Sequence, residues 1–381
     1  MNADVLFLMA LLSLAVWVIL EFFRGGFWRA DQRLTKGGDL PEWPGVVAVI
    51  PARDEAATIG RTVGSLVHQN YPGTMDVVVV DDNSSDGTAA AVGPSPRAHV
   101  FSGMALQAGW SGKLWAVHQG LEYAREVSPD AKYVLMTDAD IDHHGDNVRE
   151  LVYKAETEQL GLVSLMVKLR SESFWERLLI PAFVFFFQKL YPFPWVNDPA
   201  SPMAAAAGGC MLIRRDVLEA AGGVEPIRDR LIDDCAMGAL IKARAPIWLG
   251  LTSETHSLRA YEELDEIWDM VVRTAFVQLD HSVLALAGTI AGMVVVYVAP
   301  PVAAITGLAM ADGGIALAGG LAWSIMTISY YPTLRLYDEP AWRALSLPVA
   351  AFFYALMTVS SALRYWSGEG GAWKGRHYSG E

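Results

Sequence analysis

Cysteine is almost missing from this chain: of 381 residues only Cys210 and Cys235 carry a thiol. They lie too far apart for the short spacing of a zinc site, so neither a disulfide framework nor structural zinc is expected, and a reducing compartment fits. Charge is scarce as well. Asp, Glu, Lys and Arg make up 19% of the residues against 52% hydrophobic ones, a balance that points to a membrane protein with a substantial water-exposed part. Clustered positive charge is absent. The formal net charge is −13 and no Lys/Arg block occurs, which argues against nucleic acid as a partner.

The apolar residues gather at the two ends. Residues 4–23 are nearly unbroken Leu, Val, Ala, Phe and Trp, about the 20 residues needed to cross a bilayer core. No positive segment precedes the run and no small-residue cleavage site follows it, so an uncleaved anchor is expected rather than a signal peptide. Arg24, Arg29, Arg33 and Lys36 follow, and the positive-inside rule then puts the next domain in the cytoplasm. Three more apolar runs, 283–311, 315–331 and 345–363, predict three C-terminal membrane helices. Four spans would leave the C-terminus outside, whereas Arg364, Lys374, Arg376 and His377 favour the inside; a hairpin folded at Pro300-Pro301 would reverse the tail. The expected organisation is an anchor over 1–24, a cytosolic domain over 25–280, and membrane helices with a tail over 281–381. Within the middle part, 174–196 is an apolar run broken by Pro181 and flanked by Glu176, Arg177 and Lys189, which suggests a helix lying in the membrane interface.

Strand and helix patterns alternate from residue 46. Strands are expected at 46–50, 76–80, 99–101, 133–138 and 162–169, with helices after the first, second and third, the pattern of a Rossmann-like parallel sheet. Three of these strands end in polar clusters, which should lie side by side at the carboxyl edge, where open α/β sheets bind ligands. The sharpest transition is Tyr133-Val134-Leu135-Met136-Thr137-Asp138-Ala139-Asp140. Residues two apart on an extended chain face one side, so Asp138 and Asp140 are expected to converge on a hard cation such as Mg²⁺ or Mn²⁺, whose usual partner is a phosphate. An acidic turn is the plainer alternative for an isolated Asp-x-Asp. Gly208 and Gly209 open another strand, and Asp233-Asp234 a helix reaching about Lys242. His256 stands in a polar stretch, where a solvated histidine is commoner than a metal ligand.

Taken in order, five motifs form one series: Pro51-Ala52-Arg53-Asp54-Glu55, Asp81-Asp82-Asn83-Ser84-Ser85-Asp86-Gly87-Thr88, Gly109-Trp110-Ser111-Gly112-Lys113, Asp138-Ala139-Asp140 and Asp233-Asp234 with Gly238. Over about 46–280 the chain resembles a family 2 glycosyltransferase of GT-A fold, so the expected fold class is α/β, a Rossmann-like GT-A domain with one N-terminal and about three C-terminal transmembrane helices. That helix arrangement is similar to the ceramide-glucosyltransferase-like branch. Stretches such as Ile180-Pro181-Ala182-Phe183-Val184-Phe185-Phe186-Phe187 and Arg273-Thr274-Ala275-Phe276 most resemble the bacterial hopene-associated glycosyltransferases.

The resemblance implies roles. Pro51, Ala52, Arg53, Glu55, Asp81, Asp82, Lys113 and Asp138 would hold the nucleotide sugar, with helix capping as the alternative for Glu55 and Asp82. Asp140, with Asp138, would bind Mg²⁺ or Mn²⁺. Asp234 would be the catalytic base, supported on the acceptor side by Asp233, Gly208 and Gly209; Asp233 stands where the family more often has Glu. The implied protein is a multi-pass enzyme of the bacterial inner membrane with a cytoplasmic catalytic domain. It would move a sugar with inversion from a nucleotide-sugar donor, a UDP-sugar by expectation, to a membrane lipid such as a hopanoid. A Gln-x-x-Arg-Trp motif is missing, which weighs against the first alternative, a processive polysaccharide synthase. The second alternative is a non-catalytic membrane scaffold with a transferase-like domain, in which the acidic positions would have no reason to be intact. Trp373-Lys374-Gly375-Arg376 resembles a segment of other lipid-modifying relatives, or else anchors the tail at the membrane surface.

Overall fold

The computed structural model describes residues 3–368 together with the backbone of two short paired strands, Ala372–Trp373 and Arg376–His377. Lys374 and Gly375 of the tail motif lie outside the described residues. The chain forms two compact units, one of Asp31–Arg170, Trp195–Ala260 and Ala372–Glu381, the other of Met1–Ala30, Ser171–Pro194 and Tyr261–Gly371.

The first unit is built on a mixed sheet of β1 (Val46–Ala52), β2 (Met75–Asp81), β3 (Ala98–Ser102), β4 (Tyr133–Thr137), β5 (Ile141–Asp142), β6 (Leu162–Lys168), β7 (Cys210–Arg214) and β8 (Ile247–Ser257), in the order β3-β2-β1-β4-β7-β6-β8-β5. Every residue of β1 and β4 is buried, as expected of central strands covered on both faces. The helix Ile59–Val67 turns Ile59, Val63 and Leu66, spaced as on one helical face, inward. On the helix Gly112–Val127, a Cβ at Gly120 would come within 2.5 Å of Val49 Cγ1. Glycine there lets helix and sheet approach.

Because β1, β2 and β4 pair in parallel, the polar clusters that follow them reach one edge, as expected. Two details differ. Strand β4 is parallel only to β1; its other neighbour β7 is antiparallel. It also stops at Thr137, so Asp138, Ala139 and Asp140 form a turn and not an extended end. The two carboxylates therefore do not share a strand face, and each has its own set of partners.

Among the described residues of the second unit, four helices are long and apolar enough to cross a membrane: Ala3–Phe23, Val283–Ala309, Gly313–Leu336 and Ala341–Trp366, of 21, 27, 24 and 26 residues. On the first, the buried side chains Leu6, Ala10, Ser13 and Trp17 make one stripe, while Leu8, Leu12, Ile19 and Phe22 are exposed. Apolar residues on an outward face are a liability in water and ordinary in lipid.

Prolines inside two of the apolar runs leave their helices unbroken. Val283–Ala309 runs unbroken past Pro300-Pro301, after a π-helical turn at Val294–Val298, so the hairpin does not form. Proline lacks an N–H and leaves the carbonyl four residues back without its helical donor. Here that carbonyl, of Val296, accepts the indole N–H of buried Trp17 at 2.7 Å. Likewise Phe174–Leu190 continues through Pro181, started by a capping box between Ser173 and Glu176. An interior proline costs about 3 kcal/mol, and burial of Leu179, Ile180, Val184 and Phe185 on either side outweighs it at roughly 1.5–3 kcal/mol per side chain.

The second and third long helices touch through small residues. A Cβ on Gly319 would fall 2.5 Å from Ala304 N, and one on Gly307 2.4 Å from Ala316 N, a close backbone approach of the kind that holds helices together without a hydrophobic drive. Gly319→Leu is expected to cost about 1–3 kcal/mol through overpacking, seen as an earlier thermal transition in detergent. An unchanged transition would show that this contact does not support the helical unit.

Candidate active site

The loops after β1 and β2 are stitched to each other. Asp54, at φ 50°, donates its N–H to Ser84 Oγ at 2.9 Å and accepts from Ser85 N at 2.8 Å. Glu55 N donates to Thr88 Oγ1 at 2.8 Å and Ala56 N to Asp86 Oδ2 at 2.9 Å. Ser84, Ser85, Asp86 and Thr88 of the second motif thus serve loop structure. Neither the Glu55 nor the Asp82 side chain caps a helix; Glu55 Oε2 accepts from Thr58 Oγ1 at 3.2 Å, and Asp82 Oδ2 lies 3.6 Å from Arg53 Nη1. Asp82 is fully buried, with Arg53 Nη1 donating to its main-chain carbonyl at 2.6 Å. Asp81 Oδ1 accepts from Ser84 N at 3.1 Å, and Pro51 and Ala52 are the buried last residues of β1.

Lys113 enters from the first turn of Gly112–Val127, a helix capped by Ser111 Oγ. Its ammonium lies 2.9 Å from Asp138 Oδ1 and 3.1 Å from Asp233 Oδ2. Burial alone would pull its pKa down, but Asp138 and Asp233 outweigh it and hold it above the ordinary lysine range. The lysine expected to meet a diphosphate is, in this structure, held by carboxylates.

Asp234 occupies the first turn of the helix Asp233–Lys242. Its Oδ2 accepts from Gly208 N at 3.1 Å and its Oδ1 from Cys235 N at 2.7 Å. Burial, then the negative charge of Asp233, raise its pKa to about 6, against the opposing pull of Lys113. A Cβ on Gly208 would sit 3.4 Å from Lys113 Nζ and 3.6 Å from Asp234 Cβ, so glycine keeps the space between acid and lysine open. Ser164 on β6 braces the segment leading here, donating to Ala207 O at 3.1 Å and accepting from Ala207 N at 2.8 Å. Gly209 serves the frame, since a Cβ there would meet Val167 at 2.9 Å.

Asp140 is 7% exposed. Its Oδ2 accepts from Arg259 Nε at 3.0 Å and from Ser257 Oγ at 3.1 Å, and Arg259 Nη2 reaches Glu55 Oε1 at 2.5 Å. Burial, Asp138 and Glu55 push its pKa up, with Arg259 opposing. Among the described residues no three His, Cys, Asp or Glu side chains form a ready metal cage. The donors are nonetheless all oxygen and carry surplus negative charge, which suits a hard cation that completes its shell elsewhere.

Two groups had not been singled out. Arg259 follows the end of β8, and only its position after a strand end marks it in the sequence. Behind Asp138, Thr137 Oγ1 donates to Gly209 O at 2.7 Å and meets His143 Nε2 at 3.0 Å, while His143 Nδ1 meets Asn147 Nδ2 at 3.0 Å. This assigns the proton to Nε2, and burial pushes the imidazole pKa down to about 3; it braces the β4 end as a neutral group. His256 instead lies on β8 in register with Asp142, and Asp142 pairs with Arg61 at 2.6 Å.

A sheet of this order with carboxylates and a lysine gathered at its parallel strand ends defines an α/β fold of the GT-A glycosyltransferase type. Residues 47–222 match the profile of Glycosyl transferase family 2. The Probable glycosyltransferase YdaM of Bacillus subtilis (strain 168) is 30% identical over 103 residues. That stretch is 24% of this chain and 24% of YdaM, so the likeness spans about a quarter of the relative. Over almost the whole chain the fold is similar to the mannosyltransferase PcManGT from Pyrobaculum calidifontis, solved in complex with GDP-Man and Mn²⁺: TM-score 0.52, 18% identity, 95% of this chain and 99% of that one.

Proposed function

We propose that this protein is a membrane-bound inverting glycosyltransferase that moves one sugar from a nucleotide-sugar donor to a lipid acceptor. The observation that carries this is Asp234, a carboxylate fixed by two backbone N–H groups, its pKa raised to about 6, set beside Lys113 next to Gly208. An acceptor hydroxyl is a poor nucleophile until its proton is taken. Asp234 accepts that proton as the acceptor oxygen bonds to the anomeric carbon; the bond from that carbon to the diphosphate breaks, and the nucleoside diphosphate leaves from the opposite face. Lys113, at a helix N-terminus, would turn from Asp138 and Asp233 to the diphosphate oxygens. Glu55, Asp81 and Asp82, with Pro51, Ala52 and Arg53, would hold the nucleoside. Asp140, with Asp138, would hold Mg²⁺ or Mn²⁺, which when bound offsets the charge of the leaving group.

A mannosyltransferase with GDP-Man and Mn²⁺ has the same fold, so GDP-sugars belong beside UDP-sugars among donors to test. The four apolar helices supply the membrane attachment a lipid acceptor requires. The resemblance of stretches such as 180–187 and 273–276 to hopene-associated enzymes favours a hopanoid-type alcohol as that lipid, and Arg24, Arg29, Arg33 and Lys36 after the first helix favour a cytoplasmic face for the site. Labelled donor should put single sugars into the organic phase of a lipid extract. A long water-soluble product would instead identify a processive synthase, and no transfer without any donor binding a scaffold.

A base must be deprotonated to act. With its pKa raised to about 6, Asp234 is competent above that pH, and kcat/KM should fall about tenfold per unit below it. A profile flat from pH 5 to 8 would remove Asp234 from the role.

A further inference from the structure

Two cations divide the acidic edge of the site. Lys113 takes Asp138 and Asp233, and Arg259 takes Glu55 and Asp140. The second clamp is the tighter one. Arg259 uses Nε for Asp140 and Nη2 for Glu55, and its own N–H meets Ser257 Oγ at 3.3 Å, while Ser257 Oγ donates to the same Asp140 oxygen. Asp140's main-chain oxygen also accepts Leu258 N at 2.7 Å. A segment just past β8 is thus folded around the Asp140 turn, with a permanently charged, planar group between the two carboxylates. A divalent cation seeking Asp140 meets both a competing positive charge and an oxygen already in use.

We propose that Arg259 is a resident counter-cation, a positioning residue that withholds Asp140 from the metal until a nucleoside diphosphate arrives. This rests on the reading of Asp140 as a metal ligand. The diphosphate supplies the negative charge that both cations can share, and its oxygens complete a coordination shell for which the described side chains form no cage. Metal and nucleotide then bind cooperatively, and by linkage each raises the other's affinity by the same factor. Arg259 sets that factor by making binding of metal alone unfavourable.

The test is Mn²⁺ binding to the detergent-purified full chain, followed by the electron paramagnetic resonance signal of free Mn²⁺, with and without UDP or GDP. Arg259→Gln removes the charge and should bind Mn²⁺ without nucleotide about tenfold more tightly than wild type, with the gain on adding nucleotide smaller by the same factor. Arg259→Lys keeps the charge and should behave nearly as wild type. Binding by Arg259→Gln that is no tighter than wild type overturns the proposal. Asp140→Asn separates the two layers: if it loses Mn²⁺ while Arg259→Gln gains none, Arg259 alone is misassigned. If Asp140→Asn binds Mn²⁺ with nucleotide as well as wild type, the metal site lies elsewhere and both fall.

Discussion

Asp234→Asn is expected to lower single-turnover sugar transfer by about 10²–10⁴ while donor binding stays within a few-fold of wild type. The amide keeps the shape of the side chain and loses the ability to take a proton. It can still accept one of the two backbone donors, Gly208 N or Cys235 N, that hold the carboxylate, so the loop and helix start should persist. No nucleotide-binding group is altered, and the loss should therefore sit in the chemical step. Transfer by the variant within tenfold of wild type would mean that another group deprotonates the acceptor.

The second large effect is expected at Lys113. Its ammonium bridges Asp138 to Asp233, so Lys113→Met leaves neighbouring carboxylates unneutralised and takes a cation from the path proposed for the diphosphate. Transfer at neutral pH should fall by about 10²-fold, the scale seen when one fixed stabilising group is removed. A further sign distinguishes this from general damage. Lys113 is the charge that holds the Asp234 pKa down against burial and Asp233. Without it that pKa rises further, so the acid limb of the rate profile should move above about 6. A limb that stays in place while the rate falls would confine Lys113 to donor binding.

Much of the frame was legible because its signals are local. Strands such as Val46–Ala52 and Met75–Asp81 are apolar runs that end abruptly in polar residues, and the parallel pairing of β1, β2 and β4 follows from strand and helix alternation. The acidic positions could be placed at one edge for that reason. What each of them contacts could not. Arg259 meets Asp140 across 119 positions and Glu55 across 204, and such pairs leave no periodic trace. The 138–140 turn was missed because an extended end and a tight turn after a strand have the same composition. The hairpin left open at Pro300-Pro301 was not decided by the sequence, because the proline penalty is offset by the Trp17 indole, a partner from a distant part of the chain. The helix Gly313–Leu336 exceeds the apolar run 315–331 since Asp312 caps its start and its end passes through Pro332 and Arg335, which hydropathy discounts.

The most direct measurement is release of nucleoside diphosphate by the detergent-purified protein, with UDP- and GDP-sugars, Mn²⁺ or Mg²⁺, and a bacterial lipid extract containing hopanoids, run beside Asp234→Asn. The expected result is release that needs one donor, the metal and the lipid together, and that disappears in the variant. Release that Asp234→Asn supports equally, or none with any donor alongside no donor binding, would contradict catalysis at this site.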